Sequence, residues 1–339
     1  MTGPGASRRL VHNGFSTGFL DIGPREGVPL LLIHGSGPGV SAAANWQKLM
    51  SSPVADRRRI LAPDVVGFGG SRSSELTLTH ATRVSQLIDF LDAEGVEQVD
   101  VVGNSMGGAL ALALAHRLPG RVRAMILMGS VGVPFDLTPG LAKVWGYRPS
   151  IEAMRELMNL FAYDSSLISD ELVRLRYETS AQPETRALYE AAFTEPLQQH
   201  IEQMALSDEE LASITIPTLL IHGAEDQVVP LQTSLKLVHL LAKADLVVFG
   251  ACGHWTQIER SEDFARCVDE FFEGVASQAQ ASRLDLTDAT GADEHAPPLH
   301  AADDEAVDSR RTTAHVKHDV DDVAEVRAIL TYEREAGDA

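Results

Sequence analysis

Six residues, Gly103-Asn104-Ser105-Met106-Gly107-Gly108, constrain the fold of this chain more than any other stretch. The apolar run Val99 to Val102 leads into them, and an Ala- and Leu-rich segment with helical character leads out, to His116. A serine flanked by glycines two places away, set between a buried strand and a helix, forms a sharp turn that lifts the hydroxyl above the edge of a sheet. The glycines let the backbone pass without clashing, and the helix N-terminus favours negative charge beside the serine.

The rest of the chain repeats this strand–helix rhythm. Short apolar runs at Leu30–Ile33, Arg59–Ala62, Ala124–Met128, Thr218–Ile221 and Leu246–Phe249 read as strands buried on both faces. His80–Leu91 and Phe264–Phe272 have apolar residues at helical spacing. Alternation of this kind predicts an α/β fold with a mostly parallel central sheet and helices on both faces. Residues 135–213 break the rhythm. They hold no clear strand but three helical patterns, Ile151–Phe161, Ser169–Tyr177 and Glu184–Phe193. A helical insertion between core strands suggests a cap over a site. The expected organisation is therefore core over 1–134, cap over 135–213, core again over 214–276, and a tail over 277–339. That tail carries 15 acidic and 6 basic residues, a net of −9 out of −20 for all 339 residues. Its composition predicts disorder to about Asp319, with one short helix over Val320–Glu335. His295, His300, His315 and His318 are too irregularly spaced there to suggest a metal site.

A serine hydroxyl needs a base to become a nucleophile. His254, in Cys252-Gly253-His254-Trp255 after the last strand, is the best candidate, and Asp226, after the preceding strand, is the acid that would orient it. The order Ser105, Asp226, His254 is that of the α/β-hydrolase fold. Glu225 is the rival acid; His222 and His239 are rival bases that read better as packing or solvent-facing residues. The loop His34-Gly35-Ser36-Gly37-Pro38-Gly39 follows a strand and can turn a backbone N–H toward a reacting carbonyl. The N–H groups of Ser36 and Met106 form the expected oxyanion hole. A phosphate loop is a poor reading, since neither G-K-[ST] nor a dinucleotide fingerprint follows.

Composition narrows the partners. The net charge of −20 repels nucleic-acid phosphates. No apolar run reaches membrane-span length, the first residues lack the apolar core of a signal peptide, and two cysteines are too few for a disulfide framework. A cytoplasmic enzyme without cofactor or metal is expected.

Beyond the triad, the chain resembles the meta-cleavage product hydrolases, the carbon–carbon bond hydrolases of aromatic degradation. The resemblance rests on residues 34–46, 67–71, 103–108 and 249–259, and in the cap region on residues 127–133, 145–147, 160–164 and 170–177. It spans roughly Val11 to Gly274 and is nearest to the 2-hydroxymuconate semialdehyde hydrolases. It implies hydrolysis of the C5–C6 bond of a 2-hydroxy-6-oxohexa-2,4-dienoate, a small-molecule substrate, by a homo-oligomer. It also implies Arg176 as the carboxylate clamp, Asn45, Asn104 and Trp255 as polar substrate contacts, and Phe161 as the cap wall on the C6 side. Family members end near the last core helix, so the acidic tail is a departure. A carboxylesterase or lactonase would use the same triad; Arg176, Asn45 and the Cys-Gly-His-Trp run favour the dienoate. Dehalogenase and epoxide hydrolase relatives carry aspartate where Ser105 stands. A non-catalytic binding protein would be expected to have lost part of the triad.

Overall fold

The computed structural model describes residues 7–74 and 78–290. Nine strands form one sheet: β1 (Ser7–His12), β2 (Phe15–Ile22), β3 (Leu30–Ile33), β4 (Ile60–Pro63), β5 (Arg72–Ser73), β6 (Val99–Asn104), β7 (Val122–Met128), β8 (Thr218–Gly223) and β9 (Ala244–Phe249). Their order is β1-β2-β4-β3-β6-β7-β8-β9, with β5 beside β2. From β4 to β9 every pairing is parallel. Leu31 and Ile33 pack into a core shared with the helices His80–Ala93 and Met106–Arg117. Leu30 and Leu32 face the other way, toward Trp46, Phe264 and Phe272. Burial on both faces explains why the parallel strands read as unbroken apolar runs.

The hairpin β1–β2 and the short β5 are absent from the sequence expectations. β1 is exposed along nearly its whole length, so it has no apolar run to betray it. The available signal is Asn13-Gly14, whose positive φ values of 42° and 85° make the two-residue turn between the strands.

Between β7 and β8 the chain is helical. The helix Ile151–Phe161 starts at Ser150, whose side chain accepts from the Ala153 N–H, and buries Met154, Leu157, Met158 and Phe161. That i, i+3, i+4, i+7 spacing is one helix face, and burying it contributes about 1.5–3 kcal/mol per large side chain. Asp170–Ala181 and Pro183–Ala192 follow. Three further helices, Pro139–Trp145, Gln198–Met204 and Asp208–Ala212, were not expected from sequence. At five to seven residues each, they are too short to show periodicity.

The closing helix runs from Ser261 to Thr290, so the boundary placed at residue 277 falls inside a helix. The register of Phe264, Val268 and Phe272 against the sheet starts this helix, and no glycine or proline stops it between Gly274 and Thr290. Core and insertion form one compact unit through Thr287. The expected disorder beyond, the helix over 320–335, the four tail histidines and the first six residues lie outside the described residues. Among those described, no helix is long and apolar enough to cross a membrane, and no cluster of His, Cys, Asp and Glu could hold a metal ion.

Candidate active site

Four strand ends converge at one edge of the sheet: the loop after β3 brings Ser36, β6 brings Ser105, β8 brings Asp226 and β9 brings His254. The carboxyl ends of parallel strands are where such sheets leave a crevice. Ser105 has φ 54° and ψ −115°, a conformation that a non-glycine residue holds only when its surroundings enforce it. The enforcement is close packing. A Cβ on Gly107 would strike the Ile33 and His34 carbonyls, and one on Gly103 would lie 2.7 Å from the Gly108 Cα. These glycines are needed for space, while the serine itself takes the positive φ.

The Nδ1 of His254 lies 2.6 Å from Asp226 Oδ2. A carboxylate only accepts, so Nδ1 carries the hydrogen and Nε2 is left as the basic nitrogen. The other oxygen, Oδ1, accepts from the Val228 and Val229 N–H groups at 2.8 and 3.0 Å. Burial pushes the Asp226 pKa up, but the charge of His254 and hydrogen bonds from His222 and His254 outweigh it and hold the group well below the carboxylate range. Asp226 therefore stays ionised at any pH near neutrality.

The rivals resolve by geometry. Glu225 turns away and accepts from the Cys252 N–H at 3.2 Å. His239 is exposed. His222 is fully buried, its Nε2 donating to the Val229 carbonyl at 3.0 Å while lying 3.4 Å from Asp226 Oδ2. It does not line the cavity that holds Ser105 and His254. Burial pushes the Cys252 thiol up to about 12, so it is no competing nucleophile.

Ser36 is held from two sides. His34, buried, donates from Nδ1 to the Gly35 carbonyl at 2.7 Å and accepts the Val65 N–H on Nε2 at 2.9 Å. Burial lowers its pKa, which suits this neutral ring. In a trans peptide the Gly35 carbonyl and the Ser36 N–H point opposite ways, so the N–H faces away from His34. From the helical insertion between β7 and β8, Trp145 Nε1 donates to Ser36 Oγ at 2.9 Å. The Met106 N–H, at the first helical position, has no intrahelical partner.

A cavity of about 610 Å³, counting its open mouth, brings together Ser36, Asn45, Asn104, Ser105, Phe161, Arg176, His254 and Trp255. Of the residues expected from sequence, Asp226 and Met106 do not line the cavity; Asp226 is hydrogen-bonded to His254, and Met106 opens the helix that follows Ser105. Leu141, Val144, Met154, Met158, Phe161 and Val228 are the cavity's apolar lining, and Asn45, Arg176 and Gln257 are among its polar lining. Arg176 forms no ion pair among the described residues; its hydrogen-bond partner is the Ala44 carbonyl at a long 3.4 Å, and its guanidinium lies 5.8 Å from the Trp255 ring centre. Burial lowers its pKa. Nearby, Asn45 Nδ2 and Gln257 Oε1 are buried without partners. An unpaired cation beside unsatisfied polar atoms is costly for an empty cavity and suits one that receives an anionic, hydrogen-bonding ligand.

Gly129 was missed by sequence reasoning. It has φ 50°, and a Cβ there would lie 3.1 Å from His254 Nδ1 and 3.2 Å from Asp226 Oδ2. Gly129→Ala is expected to lower kcat by about 10-fold, because the pair must give by a few tenths of an ångström and a full 1 Å displacement costs about 100-fold, with the circular dichroism spectrum unchanged. Activity within twofold of wild type would show that the pair has room to spare.

Residues 28–261 match the family described as the alpha/beta hydrolase fold. A 2-hydroxy-6-oxo-2,4-heptadienoate hydrolase of Pseudomonas putida is 46% identical over 265 residues, covering 78% of this chain and 95% of that protein. A 2-hydroxymuconate semialdehyde hydrolase of a Pseudomonas species is 46% identical over 269 residues, covering 79% and 94%. Among solved structures, a serine-to-alanine mutant of a meta-cleavage product hydrolase from Pseudomonas fluorescens, complexed with acetates, has 48% identity and a TM-score of 0.76, covering 79% of this chain and 97% of that one. Sequence and fold together make this chain a member of the α/β-hydrolase family, in its branch of meta-cleavage product hydrolases.

Proposed function

We propose that the chain hydrolyses the C5–C6 bond of a 2-hydroxy-6-oxohexa-2,4-dienoate, the ring-fission product of a catechol. The observation that carries this reading is Arg176: an unpaired guanidinium lining the same cavity as Ser105 and His254. A simple ester gives such a group nothing to bind, whereas a dienoate carboxylate fits it bidentately.

Arg176 and Asn45 hold the carboxylate, and Asn104 and Trp255 contact the neighbouring 2-oxygen. The substrate first ketonises, moving a proton from the 2-hydroxyl to C5. Ser105 Oγ then attacks the C6 carbonyl while His254 Nε2 takes its proton. The Ser36 and Met106 N–H groups receive the charge that develops on the C6 oxygen. When the tetrahedral adduct collapses, the C5–C6 bond breaks and its electron pair flows into the 2-oxo acid arm. With a proton from His254 this arm leaves as 2-hydroxypenta-2,4-dienoate. Water, deprotonated by His254, cleaves the acyl-serine to a carboxylic acid. Phe161 and the apolar wall face the C6 substituent, and hydrogen or methyl there matches the substrates named for the two Pseudomonas relatives. The family resemblance also supports a cytoplasmic homo-oligomer, which size-exclusion chromatography with light scattering tests.

The purified protein is expected to bleach the yellow ring-fission products of catechol and 3-methylcatechol. Persistent colour alongside cleavage of simple aryl esters would replace this reading with a carboxylesterase.

A further inference from the structure

We propose that Glu259 is a positioning residue that latches the cap to the loop carrying His254. This rests on the reading above only for the choice of natural substrate. Its carboxylate collects three backbone N–H groups from two separate segments. Oε2 accepts from Tyr163 at 2.7 Å and Asp164 at 3.0 Å, where the chain leaves the cap helix Ile151–Phe161. Oε1 accepts from Gly253 at 2.8 Å, the residue before His254.

The two segments touch directly as well. Trp255 N–H donates to the Phe161 carbonyl at 3.1 Å. A Cβ on Gly253 would lie 2.7 Å from that same carbonyl and 2.9 Å from the Tyr163 nitrogen, so the segments have no slack between them. Across this seam the Phe161 ring stacks on Trp255 at 4.9 Å and 14°, and on His254 at 5.8 Å and 28°. One side chain thus fixes the wall of the cavity and the loop of the base together. All three partners are donors, and an ionised carboxylate is the side chain that offers two oxygens and no hydrogen. Glutamine has the same shape, but its NH2 must face Gly253 or the Tyr163–Asp164 pair, donor against donor.

Glu259→Gln and the shorter Glu259→Asp test the latch. The readouts are kcat and KM on the 3-methylcatechol ring-fission product and on p-nitrophenyl acetate, which uses Ser105 and His254 without needing a carboxylate clamp. A further readout is the low-field proton resonance of His254 Nδ1–H, assigned by its loss in Asp226→Asn. Glu259→Gln is expected to lower kcat on both substrates by about 10- to 100-fold and to shift or broaden that resonance. Glu259→Asp, which keeps two accepting oxygens, is expected to be less impaired. If Glu259→Gln does not fold, Glu259→Asp carries the same comparison against wild type. Unchanged kcat and an unchanged resonance, even with a lowered Tm, would make Glu259 a merely structural residue and overturn the proposal. A wild-type enzyme that cleaves the ester but not the dienoate would remove the diketone reading and leave the latch testable through the ester and the resonance.

Discussion

Ser105→Ala is expected to reduce kcat on the dienoate by at least about 10⁴-fold while leaving the fold intact. Removing the nucleophile of a Ser-His-Asp enzyme leaves only what the oxyanion donors and binding residues contribute. The side chain lost is small and its hydroxyl forms no hydrogen bond among the described residues, whereas the Ser105 N–H keeps its bond to the Met128 carbonyl at 2.9 Å. Alanine keeps the Cβ and inherits the positive φ, so Tm should move little. Because Arg176 and Asn45 are untouched, the variant should still bind the coloured substrate. The checks are stopped-flow bleaching at saturating substrate and a direct binding titration. Residual turnover within tenfold of wild type would mean that Ser105 is not the nucleophile.

Arg176→Met carries the second large effect, and it separates two enzymes that share one triad. Each hydrogen bond to a charged group contributes about 1.5–3 kcal/mol, so losing the two bonds of a bidentate clamp should lower kcat/KM on the dienoate by about 10²- to 10⁴-fold. Arg176→Lys keeps the charge but not the planar fork, and should fall between. A carboxylate-free aryl ester should lose far less. The free protein should also not be weakened: Arg176 brings a partly buried guanidinium with no ion-pair partner among the described residues, and replacing such a group by an apolar one is often neutral or stabilising. An unchanged or raised Tm with a collapsed kcat/KM on the dienoate is the expected pattern. Equal losses on ester and dienoate would turn Arg176 into a packing residue and remove the main support for the dienoate.

The sequence by itself determined whatever depends on neighbours along the chain. Gly103, Gly107 and Gly108 around Ser105 specify a strand–turn–helix, because only that local path tolerates such crowding. The apolar runs at β3, β6, β7 and β8 specify a sheet buried on both faces. The order Ser105, Asp226, His254 follows from which strand each residue ends. Tertiary structure decided whatever depends on distances between remote segments. The sequence favours Asp226 and leaves Glu225 as a rival, and the packing of β8 against β9 turns Glu225 toward Cys252 and brings Asp226 to within 2.6 Å of a histidine 28 positions away. Gly129 looks like any strand-end glycine until His254 and Asp226 are set against it. The Gly-rich loop marks Ser36 as an expected oxyanion donor, but only the fold shows that Trp145, 109 positions on, donates to its hydroxyl from the helical insertion. Glu259 reads as a surface acid until the cap exit and the histidine loop meet on its two oxygens. Backbone propensity and turn geometry act over a few residues, whereas sheet register and cap packing bring together groups a hundred residues apart. The chemistry of this site was therefore written locally, and its precision was set by the fold.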